Sequence, residues 1–481
     1  MICDNFAYSG LMKFFEEISQ IPRPTFHEGK IADYLCNFAR ERKLEYYRDE
    51  SNNVFIKIAG SKGRENEAPI LLQGHTDMVC EKNEGVEHDF LTQGIKLVEK
   101  DGWIRADGTT LGADNGVAVA TMLYILDGAE NNIMSHPPIE CLFTVAEEVG
   151  MNGAYEFDCS KISARRMINM DSADESLIIA GCTGGQRLSL IFTPEVEKAK
   201  GKCFKITVKG LAGGHSGEDI HRGRANANKL MGRVLLSLSN KIEVRLSSIR
   251  GGNKDNAIPR EATAFILTDF PEQLLHELKT LEKEIAGELC ADDANFTLRA
   301  EESEAVENML TKDCFDKVVF LLSTVANGVF DMNHDLEGIV EFSRNFGVIR
   351  SNEDSSSFEF VFSARSSKPS RIKSSNEQLE LYARLLGMEL KYGVSYPGWI
   401  YSQSSQIRDA YVSSFFDIYK KEPEITAIHA GLECGIIKQK IPDMDIISCG
   451  PVIVDLHSPN EALNIKSFES FFAVIIKILE K

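Results

Sequence analysis

The sequence lacks several features that would place it at a membrane or outside the cell. No apolar run in its 481 residues is long enough to span a bilayer. The first residues, MICDNF, contain no basic stretch followed by an apolar one, so we expect no secretory signal peptide. No C-x-x-C pair is present, and the 11 cysteines are scattered and odd in number, which favours free thiols over a disulfide framework. We therefore expect a cytoplasmic protein.

Positive charge is also scarce. Lys and Arg total 53 against 72 Asp and Glu, which gives a formal net charge of −19. This imbalance argues against binding to nucleic acid or to anionic membrane surfaces. The hydrophobic content of 43% is normal for a globular protein, and the length predicts more than one domain.

The most informative stretch is residues 70–79, ILLQGHTDMV, in which an apolar run ends in a glycine and is followed by His75 and Asp77. The run predicts a buried strand of a parallel sheet. Because alternate residues of a strand share a face, His75 and Asp77 are expected to point the same way. One ring nitrogen of His75 can then bind a metal while the carboxylate holds the other N–H. A polar strand end with a solvated histidine explains this stretch equally well.

Acidic residues follow other predicted elements in the same way. Asp114 lies in a glycine-rich loop before a predicted helix, Glu147 and Glu148 follow an apolar strand, and Asp171 follows another. The alternation of strands and helices predicts an α/β fold with a mostly parallel sheet, in which ligands bind at the carboxyl ends of strands. Taken singly, these residues have ordinary alternatives: a solvated turn for the glutamate pair and a helix cap for Asp114.

The character of the chain changes after about residue 184, where alternating, half-exposed strand patterns replace the buried runs. This region predicts an inserted α+β lid domain, after which the first domain resumes. Residues 261–267 and 357–363 are similar strand patterns that each lead into a helix, a weak hint of duplication. The predicted domains are residues 1–184 and 399–481 for the two parts of the catalytic domain, and residues 185–398 for the lid.

A sequence motif also predicts where the last helix begins. Ser458 and Glu461 have the spacing of a capping box, and Pro459 falls at the first helical position. His457 stands just before this motif, where it is expected to face the same cleft as the other polar residues.

The order and spacing of these residues are more specific than any one of them. The sequence resembles the M20 co-catalytic zinc metallopeptidases, and its long lid resembles that of the Xaa-His dipeptidases in this family. The shared motifs are GHTDMV (74–79), GADNG (112–116), EEVG (147–150), GGHSG (213–217), NKDNAIPR (253–260), YPGW (396–399) and HSP (457–459).

The resemblance implies a site with two Zn²⁺ ions per chain, for which Co²⁺ or Mn²⁺ can substitute. Asp114 would bridge the ions, with a cis peptide bond to Asn115. One ion would have His75 and Asp171 as further ligands, and the other would have Glu148 and His457. Nitrogen and carboxylate oxygen are donors that suit zinc.

The resemblance also implies the roles of the residues that bind no metal. Asp77 would orient His75, and Glu147 would be the general base. From the lid, His215 would stabilise the oxyanion. Asn256 and Arg365 would hold the substrate's C-terminal carboxylate, and Gly431 would offer a backbone contact. A surface arginine is the competing interpretation of Arg365.

The implied activity is hydrolysis of dipeptides, preferentially Xaa-His, with short peptides as the partners of the protein. A tripeptidase, a broader dipeptidase or an aminoacylase of the same family remains an alternative. A catalytically silent peptide-binding protein is a rival from another class, but the base and all ligand positions are filled. A homodimer is compatible with the sequence. We expect the long lid to build the site within one chain, its second half replacing a partner's lid.

Overall fold

A computed structural model defines residues 6–130 and 134–481 of the chain. The start of the sequence, on which the signal-peptide prediction depends, therefore lies largely outside the described residues. The chain forms two compact units. The first unit comprises Met1–Cys182, Trp399–Ala427 and Leu432–Lys481, and the second comprises Thr183–Gly398 and Ile428–Gly431.

The helices are, in chain order, α1 (Ser9–Ser19), α2 (Gly29–Glu41), α3 (Ala113–Glu130), α4 (Asn152–Glu156), α5 (Ala227–Ser239), α6 (Pro271–Ala286), α7 (Lys312–Thr324), α8 (Pro369–Leu386), α9 (Gln406–Tyr419), α10 (Glu433–Lys440) and α11 (Ile465–Glu480). Within the described ranges, none of the helices combines the length and apolar character needed to cross a bilayer.

The strands are, in chain order, β1 (Glu45–Arg48), β2 (Val54–Ile58), β3 (Ile70–His75), β4 (Leu97–Lys100), β5 (Trp103–Ala106), β6 (Ile139–Thr144), β7 (Arg166–Asn169), β8 (Leu177–Cys182), β9 (Gly184–Phe192), β10 (Val196–Lys198), β11 (Lys202–Lys209), β12 (Gly214–His215), β13 (Arg245–Gly251), β14 (Ala257–Ile258), β15 (Ala262–Thr268), β16 (Thr297–Glu302), β17 (Asn308–Leu310), β18 (Gly328–Met332), β19 (Val340–Ser351), β20 (Phe358–Ser366), β21 (Glu389–Tyr396), β22 (Glu424–Ile428), β23 (Asp445–Ser448), β24 (Ile453–Val454) and β25 (Ala462–Asn464).

The first unit contains an eight-stranded sheet in the order β1-β2-β6-β3-β7-β23-β8-β22. Its central strands β6, β3, β7 and β23 run parallel to one another. Every residue of β3 and β6 is buried, as expected for strands covered on both faces. The structure thus confirms the predicted α/β fold. It adds antiparallel pairs on both sides of the parallel centre, formed by β1 with β2, β2 with β6, and β8 with β23.

Helices α1, α3 and α11 contribute to the core that covers this sheet. Helix α1 buries Leu11, Phe14, Phe15 and Ile18, whose spacing places them on one face of the helix. The ring of Phe15 meets that of Phe468 on α11 edge to face, with centroids 6.3 Å apart. Each fully buried side chain of this size contributes about 1.5–3 kcal/mol. Helices α1 and α11 are thereby packed into one core.

The predicted start of the last helix is wrong. Helix α11 begins at Ile465, and its cap is Asn464, whose side chain accepts the N–H of Ser467 at 2.9 Å. The residues that follow Glu461 instead form β25, which pairs with β5. The capping-box prediction is wrong because the Glu461 carboxylate accepts hydrogen bonds from residues 111–114, far away in the sequence, and does not cap a helix.

The cysteines bear out the expectation from their spacing. All ten cysteines that the structure describes are free thiols, and most are buried. The remaining one, Cys3, lies outside the described residues.

The second unit contains a nine-stranded antiparallel sheet in the order β16-β11-β15-β13-β19-β20-β9-β21, with β18 also paired to β19. Its first half is β11-α5-β13-β15-α6-β16, and its second half is β9 followed, later in the chain, by α7-β19-β20-α8-β21. The two halves repeat one topology, and their strand orders mirror each other about the β13–β19 pair. The weak duplication seen in the sequence corresponds to β15 with α6 and β20 with α8.

Helices α5 and α7, one from each half, pack closely at Gly232. A Cβ atom added there would lie 2.7 Å from Leu322 Cβ and 2.9 Å from its carbonyl carbon. We predict that Gly232→Ala destabilises the protein. The overpacking costs about 1–3 kcal/mol, which outweighs the gain of about 1 kcal/mol in helix propensity. Urea denaturation followed by circular dichroism measures the difference.

Gly128→Ala in α3 is the matched control, because among the described residues the nearest neighbour of its Cβ atom would be Met134 Sδ at 3.9 Å. This variant should gain about 0.5–1 kcal/mol of stability. A stabilised Gly232→Ala protein would show that the two helices are less tightly packed than described.

Candidate metal centre

Polar residues meet where the parallel strands of the first unit end. His75 is the last residue of β3, and β6 and β7 lie on either side of it. Glu147 and Glu148 follow β6, and Asp171 follows β7. Because these strands are parallel, their carboxyl ends lie at one edge of the sheet and bring the side chains together.

Asp114 lies between the two histidines of this edge. Its Oδ1 is 3.0 Å from His75 Nε2, and its Oδ2 is 3.3 Å from His457 Nε2. His75 Nε2 is also 3.7 Å from Asp171 Oδ1, and His457 Nε2 is 3.2 Å from Glu148 Oε2. The five side chains form two groups of three donors that share Asp114, each with its ligand atoms within 4.8 Å of one another.

Asp114 has an unusual backbone for the first turn of a helix. Its φ of −81° and ψ of 107° are not helical, although α3 begins one residue earlier. The peptide bond between Asp114 and Asn115 is cis, which confirms the prediction made from the resemblance.

Asp77 connects two parts of the site. One oxygen of its buried carboxylate lies 3.4 Å from His75 Nδ1, in line with its predicted role of orienting that ring. The same carboxylate accepts the backbone N–H groups of Glu147 at 3.1 Å and Glu148 at 3.3 Å. Thr25 Oγ1 donates to it as well, at 2.9 Å. Asp77 therefore fixes the acidic turn relative to the histidine.

The electrostatics of the five-residue cluster favour a cation. The hydrogen bonds that His457 donates to the carboxylates of Asp114 and Glu148 raise its pKa to about 10. Burial opposes ionisation of Asp114, yet its bonds to His457 and His75 hold its pKa below the usual value. Glu148 Oε1 is buried without a hydrogen-bond partner among the described residues. Imidazole nitrogens and carboxylate oxygens at this density fit zinc or a similar divalent ion.

Glu147 is an acidic residue of this site with a strongly altered pKa. Burial raises its pKa well above the ordinary value, and nearby Asp171, Glu433 and Glu148 add to the shift against the opposing effect of His75. A carboxylate of raised pKa suits proton transfer near neutral pH. The geometry also groups Glu147 with His75 and Glu148 as possible metal ligands. Distances alone are therefore compatible with Glu147 as a metal ligand or as a general base.

Glu433 is a neighbour of this site that the sequence reasoning missed. It is fully buried at the start of α10 and accepts hydrogen bonds from Gln73 Nε2 at 2.6 Å and Thr144 Oγ1 at 2.8 Å. Burial raises its pKa to about 7. The available signal was Gln73, a polar residue inside an otherwise apolar strand, which requires a buried polar partner.

The second unit brings together His215 and Asn256. His215 lies on β12 and pairs with Ala257 on β14, and the N–H of Ser216 donates to the carbonyl of Asn256 at 2.8 Å. Asn345 Nδ2 donates to the carbonyl oxygens on both sides of Asn256, at 2.9 and 2.8 Å. This short ladder fixes the histidine and the asparagine relative to each other.

A hydrogen bond defines which ring nitrogen of His215 carries the proton. The N–H of Glu218 donates to His215 Nδ1 at 3.2 Å, so in the neutral ring the proton is on Nε2. Burial, together with the positive charge of Arg365, lowers the pKa of His215. The side chain is therefore a neutral imidazole that can donate a hydrogen bond from Nε2.

Arg365 is not a surface arginine. It lies on β20 with only 6% of its surface exposed, and its Nη1 donates to the Tyr396 hydroxyl at 2.7 Å. Its Nε has no hydrogen-bond partner among the described residues. A buried guanidinium with unused donor capacity can bind a carboxylate.

The segment Ile428–Gly431 also belongs to the second unit, and it carries His429, which the sequence reasoning missed. His429 Nε2 is 2.6 Å from Ser343 Oγ, and Ser343 is the cross-strand neighbour of Arg365. Burial, then the charge of Arg365, lowers the pKa of His429 to about 3. Gly431 ends this segment, which is held by the N–H of Thr183 through the carbonyl oxygens of residues 428 and 430.

Comparisons with known proteins show what this chain is similar to. The Escherichia coli (strain K12) protein named cytosol non-specific dipeptidase is 34% identical over 475 residues, covering 98% of this chain and 97% of the relative. The crystal structure of aminoacylhistidine dipeptidase from Vibrio alginolyticus superposes with a TM-score of 0.92 at 35% identity, covering 99% and 97% of the two chains.

A tripeptidase from Staphylococcus aureus shares the fold, with a TM-score of 0.56 at 17% identity and coverage of 99% and 98%. Residues 71–481 match the family described as Peptidase family M20/M25/M40. The family predicted from the motifs is therefore confirmed, and this chain belongs to peptidase family M20/M25/M40.

Proposed function

We propose that this protein is a cytoplasmic metal-dependent dipeptidase that hydrolyses the peptide bond of short peptides, preferentially Xaa-His. The observation that carries the proposal is the convergence of two histidines and three carboxylates beside Glu147 in the first unit. Similarity along nearly the whole chain to two proteins named as dipeptidases supports it. One of them is named non-specific and the other aminoacylhistidine, so the Xaa-His preference is the finer part of the proposal.

The metal ligands in this proposal are the residues of the two donor groups. His75 and Asp171 would hold one ion, Glu148 and His457 would hold the other, and Asp114 would bridge them. Three protein donors per ion leave coordination positions open, as is usual in catalytic zinc sites. Two Zn²⁺ ions, or Co²⁺ or Mn²⁺ in their place, would lower the pKa of the attacking water and polarise the substrate carbonyl.

The remaining residues would supply proton transfer and substrate contacts. The Glu147 carboxylate would take a proton from the attacking water and give it to the leaving amine, a task for which its raised pKa is suited. The Nε2–H group of His215 would donate to the oxyanion that forms from the substrate carbonyl. Arg365 and Asn256 would hold the substrate's C-terminal carboxylate, and the Gly431 backbone would contact the peptide.

A panel of peptides tests the substrate class. After removal of metal with a chelator we expect no hydrolysis, and after addition of Zn²⁺ we expect cleavage of dipeptides, fastest for Xaa-His. Metal analysis should give two ions per chain. Preferential cleavage of tripeptides or of N-acyl amino acids would support a tripeptidase or an aminoacylase. Binding without hydrolysis of any peptide would support a silent binding protein.

The two neighbouring glutamates should behave differently when each is changed to glutamine. Glu147→Gln should lower kcat about 10²–10⁴-fold with the metal content unchanged, because the general base is lost and no ligand is removed. Glu148→Gln should lower metal occupancy, since an amide is a poor replacement for a carboxylate ligand. Kinetics and metal analysis on both variants test the assignment, which equal metal loss in the two would refute.

We also propose that one chain builds the complete site, so that a homodimer would not be needed to complete it. The repeated topology of the second unit supports this idea, because its second half would then take the place of a partner's lid. His215, Asn256 and Arg365 would then serve the metal centre of their own chain.

A mixing experiment separates this arrangement from one in which His215 acts on a partner chain. His215→Ala and Glu147→Gln proteins, each inactive, are unfolded together and refolded as a mixture. We expect verified hybrid dimers to remain inactive, since each chain lacks one of its own groups. Recovery of activity in the hybrids, with each homodimer as control, would mean that base and histidine come from different chains.

A further inference from the structure

The loop that leads to Asp114 is held on one side by Glu461. This carboxylate is only 2% exposed and accepts the N–H groups of four consecutive residues. One oxygen accepts from residues 111 and 112 at 2.8 and 3.0 Å, and the other accepts from residues 113 and 114 at 2.8 and 3.3 Å. The last of these groups is the N–H of Asp114 itself, so Glu461 fixes the backbone from which the shared carboxylate projects.

Arg23 holds the same loop from the other side. Its guanidinium is 2% exposed, and Nη2 donates to the carbonyl of Gly112 at 2.6 Å. Nη1 donates to the carbonyl of Thr76 at 3.0 Å, between His75 and Asp77. Arg23 therefore ties the Asp114 loop to the end of β3, the strand that carries His75.

Two glycines leave room for this guanidinium. A Cβ atom at Gly112 would lie 2.7 Å from Arg23 Nη2, and one at Gly116 would lie 2.9 Å from the same atom. The φ of Gly112 is +72°, a conformation that other residues rarely adopt. The GADNG motif thus contains two positions whose lack of a side chain is explained by Arg23.

We propose that Arg23 and Glu461 are positioning residues that set the affinity of the site for its metal ions without binding metal. This inference rests on the proposed metal centre. Asp114 must present one oxygen to each half of the site, so a small shift of its loop weakens both halves together. Arg23 also places a positive charge near the carboxylates of Asp77, Asp114 and Glu461, while its guanidinium donates to the backbone carbonyls of Thr76 and Gly112.

A purely structural role would make a different prediction, and Glu140 provides the matched comparison. It is a buried glutamate of the same unit, 3% exposed, that accepts the backbone N–H groups of Ser163 at 3.1 Å and Ala164 at 3.0 Å. It lies on β6 four residues before Thr144, near the amino end of the strand and away from the ligand edge. Loss of its charge should affect stability alone.

The experiment compares Glu461→Gln with Glu140→Gln and the unchanged protein. Each protein is stripped of metal, its melting temperature is measured, and its affinities for Zn²⁺ and Co²⁺ are determined by competition with a chromophoric chelator. We expect both variants to melt earlier than the unchanged protein in the metal-free state. Only Glu461→Gln should bind metal about 10–100-fold more weakly, the usual effect of losing a group that supports a ligand.

Arg23→Lys is the second variant, and it decides the matter if Glu461→Gln does not fold. Lysine keeps the charge, but its compact ammonium cannot span the carbonyls of Thr76 and Gly112 as the guanidinium fork does. We expect weaker metal binding here as well. Unchanged metal affinity in the folded variants, or equal weakening in Glu140→Gln, would overturn the positioning role. Absence of metal binding by the unchanged protein would instead refute the proposed metal centre.

Discussion

Mutual repulsion of carboxylates is the constraint on which the first unit depends. Asp77, Asp114, Glu147, Glu148 and Asp171 all lie at one edge of its sheet, and two unit charges 4 Å apart repel by about 4 kcal/mol at a protein surface. Backbone N–H groups satisfy Asp77, and the histidines face Asp114, Asp171 and Glu148. Burial raises the pKa of Glu147, and the neighbouring carboxylates add to this shift. The remaining negative charge favours the binding of a cation at this edge.

The sequence predicts the parts of this arrangement that depend on local pattern. Apolar runs that end in His75, Glu147 or Asp171 locate the strand ends, and parallel strands must bring those ends together. The resemblance to the family, which extends along most of the chain, supplies the order of the proposed metal ligands and the cis bond after Asp114. The hint of duplication also has a local basis, because each copy is a strand followed directly by a helix.

What the sequence does not predict are contacts between remote segments and backbone groups. Glu461 has the spacing of a helix cap, yet its carboxylate binds the loop before Asp114, because those N–H groups otherwise lack acceptors in a buried place. Arg23 gives no signal of its own, since its partners are carbonyl groups that every residue has. Glu433 and His429 are single polar residues in short segments, and no hydrophobic periodicity or motif spacing identifies them as functional.

The order of the strands in the second unit has a consequence for how the chain folds. The first half is continuous in sequence. The second half is divided, because β9 precedes the whole first half in the chain and β20 follows it. Gly185 on β9 therefore cannot pair with Arg365 on β20 until the intervening chain has been synthesised. Closing so long a loop is slow and entropically costly. During synthesis we expect the continuous half to form first and to act as the surface on which the divided half assembles.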